Sequence, residues 1–204
     1  MKILFDVGAN WGTSSLRQIE KNEDWICFAF EPTPRLIEHM IKESASFSDR
    51  YHIIPCAVSD FDGEADFHIA GQADWGCSSL LNFNSNLAEM WPGRKDFKVT
   101  ETIKVKAITL KTFIEQMTDT EIKQIDHYHC DVQGSDLKAL QGLGEYINII
   151  QEGEVEAAVK KDILYINQNT AEDTDAYLRK HNFLTSFHSN DKFNNETNIR
   201  FKKK

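Results

Sequence analysis

The chain has 204 residues, of which 41% are hydrophobic and 27% are charged. This length and composition fit one globular α/β domain and are too small for two full ones. The formal net charge of −9 argues against a nucleic-acid partner, because neutralising phosphates requires a basic face. No apolar run approaches the ~18 residues of a membrane span, so we expect no membrane partner and a cytoplasmic protein.

The four cysteines, Cys27, Cys56, Cys77 and Cys130, are widely separated and include no C-x-x-C pair. Three of them fall in strand-like stretches, which is typical of small buried residues in a reducing compartment. We therefore expect no structural zinc site and assign no metal ligands.

The stretch at residues 3–12 reads ILFDVGANWG. An apolar run that stops at a glycine turn and is followed by Thr13 or Ser14 as a cap predicts a strand, a loop and a helix over about residues 13–21. In open α/β sheets such a loop lies at the carboxyl end of the first strand, where ligands bind. Gly8 and Gly12 would let the backbone approach that ligand closely.

Two acidic residues indicate which ligand this loop would take. Asp6 precedes the first glycine by two residues, and a negative charge there suits the amino and sulfonium groups of S-adenosylmethionine better than a pyrophosphate. Glu31 follows the apolar run at 25–30, and an acid at the end of the second strand is placed to accept hydrogen bonds from ribose hydroxyls. The alternative is a plain glycine turn with an incidental surface acid.

The remaining elements alternate between strands and helices. We predict a helix opened by Thr33-Pro34, a strand at 51–54, a hairpin at Asp62-Gly63 joining strands at 56–60 and 64–69, and a strand at 102–108. After it we predict a helix capped by Thr109, a strand at 125–131, a helix capped by Ser135, a strand at 147–155 and a helix at about 171–181. A polar turn at 189–196 then joins strands at 183–187 and 197–201. This order predicts a single domain over residues 1–204 with a mostly parallel sheet and an antiparallel edge hairpin.

Residues 70–98 form an irregular insertion that is rich in glycine and aromatic residues. A long aromatic loop in a compact domain is usually functional, so we interpret it as an acceptor-binding lid, with Trp75, Ser78 and Ser79 as substrate-binding candidates. The alternatives are aromatic side chains that fill a small satellite core, and serines that only form turns.

Six segments follow one another along the chain: FDVGANWG, FEPTP, AVSDFDGEADF, GCSSL, HCDVQGSDLKALQGL and IIQEGEVEA. Together they resemble the motifs of FkbM-family S-adenosylmethionine-dependent methyltransferases. The resemblance covers nearly the whole chain. It implies an α/β fold with a Rossmann-like seven-stranded methyltransferase sheet and helices on both faces. It also implies S-adenosylmethionine as cofactor and methyl transfer to a hydroxyl oxygen, often on a sugar or a secondary metabolite.

Two features depart from the family pattern. The turn that commonly reads K-x-D-x-E-G has His129 at the Lys position and Gln133 at the Glu position, with Asp131 retained. The first strand also starts almost at Met1, whereas the family domain usually follows an N-terminal extension. A cofactor cover would then be missing or come from another chain, for example in a homo-oligomer.

Within this framework the sequence assigns residues to three roles. A base near the acceptor oxygen assists methyl transfer to an alcohol, and Asp131 and His129 are the candidates because they end a central strand. Asp131 could instead orient the cofactor or cap the turn, and His129 could be an interior hydrogen-bonded histidine. Cofactor-binding candidates are Asp6, Gly8, Asn10, Gly12, Thr13, Glu31, Pro32, Ala57 and Asp131. Glu152, expected at the end of the fifth strand, joins the substrate-binding candidates, although such acids are often simply solvated.

The resulting functional hypothesis is an O-methyltransferase that acts on a small hydroxylated acceptor such as a sugar. One alternative is a catalytically silent module that binds the cofactor or a partner protein. The other is an NAD-dependent oxidoreductase built on a related sheet.

Overall fold

The computed structural model describes residues 1–71, 75–94, 96–118, 120–160, 163–188 and 195–204. The strands of this part are β1 Lys2–Val7, β2 Trp25–Phe30, β3 Tyr51–Ile54, β4 Ala57–Val58, β5 Gly63–Ala70, β6 Val99–Ile108, β7 Ile125–Cys130, β8 Ile150–Ala158, β9 Phe183–His188 and β10 Glu196–Lys203. The α-helices are α1 Thr13–Lys21, α2 Pro34–Glu43, α3 Leu87–Met90, α4 Leu110–Thr112, α5 Asp136–Gln141 and α6 Ala171–Lys180.

Seven of the described strands form one sheet in the order β3-β2-β1-β7-β8-β10-β9. Strands β3 to β8 in this order are parallel, and β10 pairs antiparallel with both β8 and β9. The predicted parallel sheet with an antiparallel edge is therefore confirmed. Most of the polar turn predicted at 189–196 lies outside the described residues.

The prediction of a hairpin at Asp62-Gly63 is wrong. Strands β4 and β5 both pair with β6, β4 in parallel and β5 antiparallel, to give a second sheet in the order β4-β6-β5. The local Asp-Gly signal predicts a turn, but β6 arrives from a distant part of the sequence and takes the position between the two strands. The short strand β4 therefore stays beside the first sheet, where Ala57 and Val58 are buried.

Apolar side chains cover both faces of the main sheet. On one face, Leu16 and Ile19 of α1 and Met40 of α2 pack against Leu4 and Cys27. The opposite face carries a larger core that includes Phe5, Phe28, Phe113, Leu140 and Leu178. Burying each such side chain contributes ~1.5–3 kcal/mol to the stability of the fold, so the two layers hold the strands of the main sheet in place. Cys27, Cys56 and Cys130 are buried thiols, and Cys77 is partly buried.

The helix starts follow the sequence patterns only in part. Thr109 caps α4 through a hydrogen bond from the Thr112 N–H, as predicted. Helix α1 instead begins after Gly12, which has a left-handed backbone (φ 67°), and no described side chain caps its N-terminus. The Ser135 side chain makes no capping hydrogen bond to the described residues of α5. Among the described residues, no helix combines the length and apolar character needed to cross a membrane.

Candidate active site

A cleft lies at the carboxyl ends of β1, β2 and β7 and encloses about 550 Å³ of space between atoms, including its open mouth. Six of the sequence-predicted cofactor residues line it together: Gly8, Asn10, Glu31, Pro32, Ala57 and Asp131. Ser78 of the 70–98 insertion closes another side. The structure thus brings the glycine turn, the acid after β2 and the acid after β7 to one place, which we call the first cleft.

The glycine turn is tied to both neighbouring strands. The N–H groups of Gly8 and Ala9 both donate to the Phe30 carbonyl, each at 3.0 Å. Gly8 has φ 82°, and a Cβ on it would lie 1.9 Å from the Asp131 carbonyl oxygen. Only glycine fits this contact, which sets the Asp131 backbone directly against the turn.

Glu31 is buried, and both of its carboxylate oxygens accept backbone hydrogen bonds, one of them from the glycine turn. Its Oε2 accepts a hydrogen bond from the Asn10 N–H at 2.9 Å, and its Oε1 accepts one from the Thr33 N–H at 2.8 Å. Burial raises the pKa of Glu31 to about 7, although these hydrogen bonds lower it. A buried carboxyl in a ligand-sized cleft is a candidate binding group.

Asn10 presents an unsatisfied acceptor beside this carboxyl. Its backbone is left-handed (φ 53°), and its Oδ1 is buried without a hydrogen-bond partner among the described residues. Because buried polar atoms are nearly always hydrogen-bonded, an orphaned acceptor that borders a cleft indicates a ligand donor.

His129 and Asp6 form a close pair next to the first cleft. His129 Nδ1 lies 2.8 Å from Asp6 Oδ1, and the pair lies outside the described lining of the cleft. Burial lowers the pKa of His129, but the hydrogen bond and charge of Asp6, with the charges of Asp131 and Glu154, raise it to about 9 overall. At neutral pH the imidazole is protonated, so it is an ion-pair partner of Asp6 and a poor general base.

Asp131 belongs to a polar network centred on Gln133. Gln133 Nε2 donates to Asp131 Oδ1 at 2.7 Å and to Glu156 Oε2 at 2.8 Å. The Tyr165 hydroxyl lies 2.7 Å from Gln133 Oε1, and Ser79 Oγ donates to the Gln133 carbonyl at 2.7 Å. The side-chain amide and the backbone carbonyl of Gln133 are thereby both held by hydrogen bonds.

The turn that carries this network is shaped by Asp136. Its two carboxylate oxygens accept hydrogen bonds from the N–H groups of Val132, at 2.8 Å, and Gly134, at 3.0 Å. Burial and the neighbouring Asp131 raise the pKa of Asp136 to about 7. The Asp136 carboxyl therefore fixes the turn before α5, whereas the cap predicted at Ser135 makes no side-chain hydrogen bond to the described residues of that helix.

Several predicted site residues lie elsewhere. Gly12 packs against Tyr51 and Met40, and Thr13 is exposed at the start of α1. Ser79 donates to the Gln133 carbonyl outside the described lining of the first cleft. Ser78 does line that cleft, but its Oγ accepts a hydrogen bond from the Ala70 N–H. The side chain of Trp75 lies outside the described residues.

The predicted position of Glu152 is wrong. Strand β8 continues to Ala158, so Glu152 lies near its start, paired in register with His127 and Lys202. Glu156, two pleats further along the same face, takes the position beside Asp131. The error came from ending the strand at about 155.

Other residues of the site were missed at the sequence level. Phe30 and Leu36 line the first cleft as parts of regular elements, and Tyr165 reaches Gln133 from a distant loop. Glu156 was also missed as a site residue, although its spacing of two after Glu152 and Glu154 indicated that it lies on the same face of the strand.

The fold has counterparts among solved structures. An FkbM methyltransferase from Methylobacillus flagellatus KT superposes with a TM-score of 0.61 at 14% identity, covering 98% of this chain and 43% of that one. TrmK of M. capricolum, solved with S-adenosylhomocysteine, gives a TM-score of 0.50 at 12% identity, covering 100% of this chain and 62% of that one. At these identities the likeness shows a methyltransferase-type Rossmann-like fold.

The sequence comparison is more specific. The family described as "Methyltransferase FkbM domain" matches residues 6–185. A curated relative, the 2-O-methyltransferase NoeI of Sinorhizobium fredii, is 26% identical over 145 residues, which are 69% of this chain and 56% of NoeI. The chain belongs to the FkbM methyltransferase family, and it spans about half the length of the curated relative that it matches.

Proposed function

We propose that the protein is an S-adenosylmethionine-dependent O-methyltransferase that acts on a hydroxyl group of a small acceptor, such as a sugar. The observation that carries the proposal is the buried Glu31 carboxyl in the first cleft, joined to the glycine turn at Asn10 in a chain of the FkbM family. The relative NoeI is a 2-O-methyltransferase, which supports oxygen as the methylated atom.

The residues of the first cleft fit this cofactor. Ribose hydroxyls are donors that suit the carboxylate of Glu31, and Asn10 Oδ1, unpaired among the described residues, offers a further acceptor. Apolar side chains of Leu36, Val58 and Phe67 line the same cleft and suit an adenine ring. When bound, S-adenosylmethionine supplies an electrophilic methyl group on a sulfonium.

Asp131 is the proposed base. It lines the first cleft, and its Oδ1 is held by Gln133, so the carboxylate has a defined orientation. It would take the proton of the acceptor hydroxyl, while the bound cofactor would supply the methyl group to that oxygen. His129 is assigned to hold Asp6 and not to remove the proton.

Calorimetry with S-adenosylhomocysteine tests the cofactor site. We expect Glu31→Gln to weaken binding at least about tenfold, because hydrogen bonds to a charged group contribute ~1.5–3 kcal/mol. Glu38→Gln, which removes the same charge from an exposed position on α2, should bind like the parent protein. Unchanged affinity in Glu31→Gln would refute the ribose assignment.

Transfer of a labelled methyl group tests the reaction. The protein is incubated with labelled S-adenosylmethionine and a panel of methyl glycosides and polyols, and methylated products are identified by mass spectrometry. We expect O-methyl products. Cofactor binding without transfer to any member of the panel would favour the silent binding module instead.

A further inference from the structure

A second cleft adjoins the first and shares Gly76 and Gln133 with it. It encloses about 1100 Å³ of space between atoms, including its open mouth, which is twice the volume of the first cleft. One wall is formed by Glu156 and by residues of β10, and the other by the end of the 70–98 insertion. Gln133 is therefore part of the partition between a cofactor-sized cleft and a larger, open one.

The lining of the second cleft combines aromatic and polar groups. Trp91 and Phe97 pack with their rings 5.6 Å apart, and the Arg94 guanidinium lies 4.3 Å from the Phe97 ring while it pairs with Asp96. Aromatic faces suit the C–H faces of a ring-shaped polyol. Within the described lining, Asp96 and Glu196 outnumber the one guanidinium, which disfavours an anionic ligand.

Two carboxyl groups meet at the partition. Asp131 lines the first cleft and Glu156 lines the second, and one amide nitrogen of Gln133 donates to both. The register of β7 with β8, which pairs His129 with Glu154, places the two carboxyls at neighbouring positions across the strands. Because one nitrogen lies 2.7 Å from Asp131 Oδ1 and 2.8 Å from Glu156 Oε2, the two carboxyls are close enough for one ligand to contact both.

We propose that the second cleft receives the methyl acceptor as a neutral compound with hydroxyl groups on adjacent carbons, the reacting hydroxyl at Asp131 and its neighbour at Glu156, with Gln133 as the positioning residue between them. This inference rests on the proposed methyl transfer. It assigns the acceptor chemistry and the roles of Gln133 and Glu156, which this function alone leaves open.

The two carboxyls suit different tasks. Burial and the neighbouring Asp131 raise the pKa of Glu156 well above its usual value. A protonated Glu156 donates a hydrogen bond to the non-reacting oxygen, while the Asp131 carboxylate accepts the proton of the reacting hydroxyl. Because two adjacent carboxylates repel each other, protonation of Glu156 stabilises the pair.

Binding of a simple diol tests the inference without catalysis. Amide spectra of the ¹⁵N-labelled protein, saturated with S-adenosylhomocysteine, are recorded during titration with cis-1,2-cyclohexanediol or with cyclohexanol. We expect saturable shifts at Trp91, Phe97 and Glu156 with the diol, and clearly weaker binding of the mono-alcohol. Glu156→Ala should weaken diol binding about fivefold, since one hydrogen bond contributes ~1 kcal/mol, and Glu156→Gln, which keeps a donor, should restore part of it.

Glu154→Ala is the matched control, because Glu154 lies on the same strand and face but contacts Arg200 and Asn198. Equal binding of diol and mono-alcohol, shifts away from the second cleft, or an equal loss in Glu154→Ala would overturn the inference. A wild-type protein that fails to bind S-adenosylhomocysteine would instead refute the proposed function, and the diol titration of the unliganded protein would still test the cleft.

The positioning role of Gln133 has its own readout. Carboxyl ¹³C chemical shifts of Glu156 are followed against pH in the parent protein, in Gln133→Met and in Asp131→Asn. Loss of the amide donor should raise the pKa of Glu156 by about one unit, and loss of the Asp131 charge should lower it by a similar amount. If neither variant moves the Glu156 titration, Gln133 does not couple the two carboxyls.

Discussion

Among the individual side chains, His129 shows how a neighbouring residue can change the chemical role of a side chain. An imidazole near the acceptor is an attractive general base on sequence grounds, because its ordinary pKa lies near neutrality. Its contact with the buried Asp6 stabilises the protonated form, so the side chain neutralises an acid beneath the glycine turn. The same contact occupies one oxygen of Asp6, which the sequence analysis assigned to the cofactor.

The His129–Asp6 pair predicts a pH dependence of stability. The pKa of His129 is raised to about 9 in the folded protein above an unfolded value of ~6.5. Its contribution to the free energy of unfolding is complete below the unfolded value and is lost as pH rises towards 9. Urea unfolding at intervals from pH 7 to 9.5 should show this decline, and His129→Gln should flatten it. A parallel decline in the variant would contradict the assignment.

Asp131 makes a separate prediction about turnover. Asp131→Asn keeps an oxygen that accepts from Gln133 but removes the base, so we expect kcat to fall ~10²–10⁴-fold. Affinity for S-adenosylhomocysteine should stay within about twofold. Asp66→Asn, at an exposed position paired with Lys104, is the control and should retain parental turnover. Equal turnover in Asp131→Asn would exclude it as the base.

The strands β1 and β7 position the site because their ends touch. The absence of a side chain at Gly8 lets the Asp131 carbonyl approach the glycine turn, and the Asp131 N–H donates to the Val7 carbonyl at 2.9 Å. The first cleft and the proposed base are therefore held by one strand pair. A change in this contact should affect both cofactor binding and turnover.

Gly8→Ala tests this strand contact. It combines a left-handed backbone with a direct clash, so we expect a loss of about 3 kcal/mol or more in the free energy of unfolding. Gly93→Ala is the matched control, since Gly93 has φ 89° but a Cβ on it would meet no described atom within 4 Å, and it should cost only ~1–2 kcal/mol. Chemical denaturation measures both. Equal losses would show that backbone strain alone acts at Gly8.

For the molecule as a whole, cofactor binding at the centre of the sheet should stabilise the entire domain. The first cleft joins β1, β2 and β7 with β4 of the second sheet. A ligand bound there should therefore stabilise the protein against global unfolding. At a hundredfold excess over Kd, S-adenosylhomocysteine should add ~2.7 kcal/mol to the free energy of unfolding. NAD⁺ at the same concentration should add nothing. The reverse result would favour the oxidoreductase alternative.

Much of the architecture was predictable because it depends on local patterns. Helix α1 and strands β2 and β3 lie where hydrophobic periodicity and glycine turns placed them, and the parallel sheet follows from the alternation of elements. The pairing of β6 between β4 and β5 was not predictable. Strand partners far apart in sequence are chosen by packing, which a turn signal such as Asp62-Gly63 does not contain.

The candidate site divides in the same way. Gly8, Glu31 and Asp131 each follow directly after a strand, and Asn10 lies in the turn after β1, so the sequence predicted that they would meet, because parallel strands end at one edge of a sheet. The pairing of His129 with Asp6, the bridge of Gln133 to Glu156 and the contact from Tyr165 appear only when β1, β7, β8 and a distant loop are brought together. Local sequence thus decides which chemical groups reach the sheet edge, whereas tertiary packing decides their partners, because burial and neighbouring charges, and not residue type, set the protonation state of a carboxyl or an imidazole.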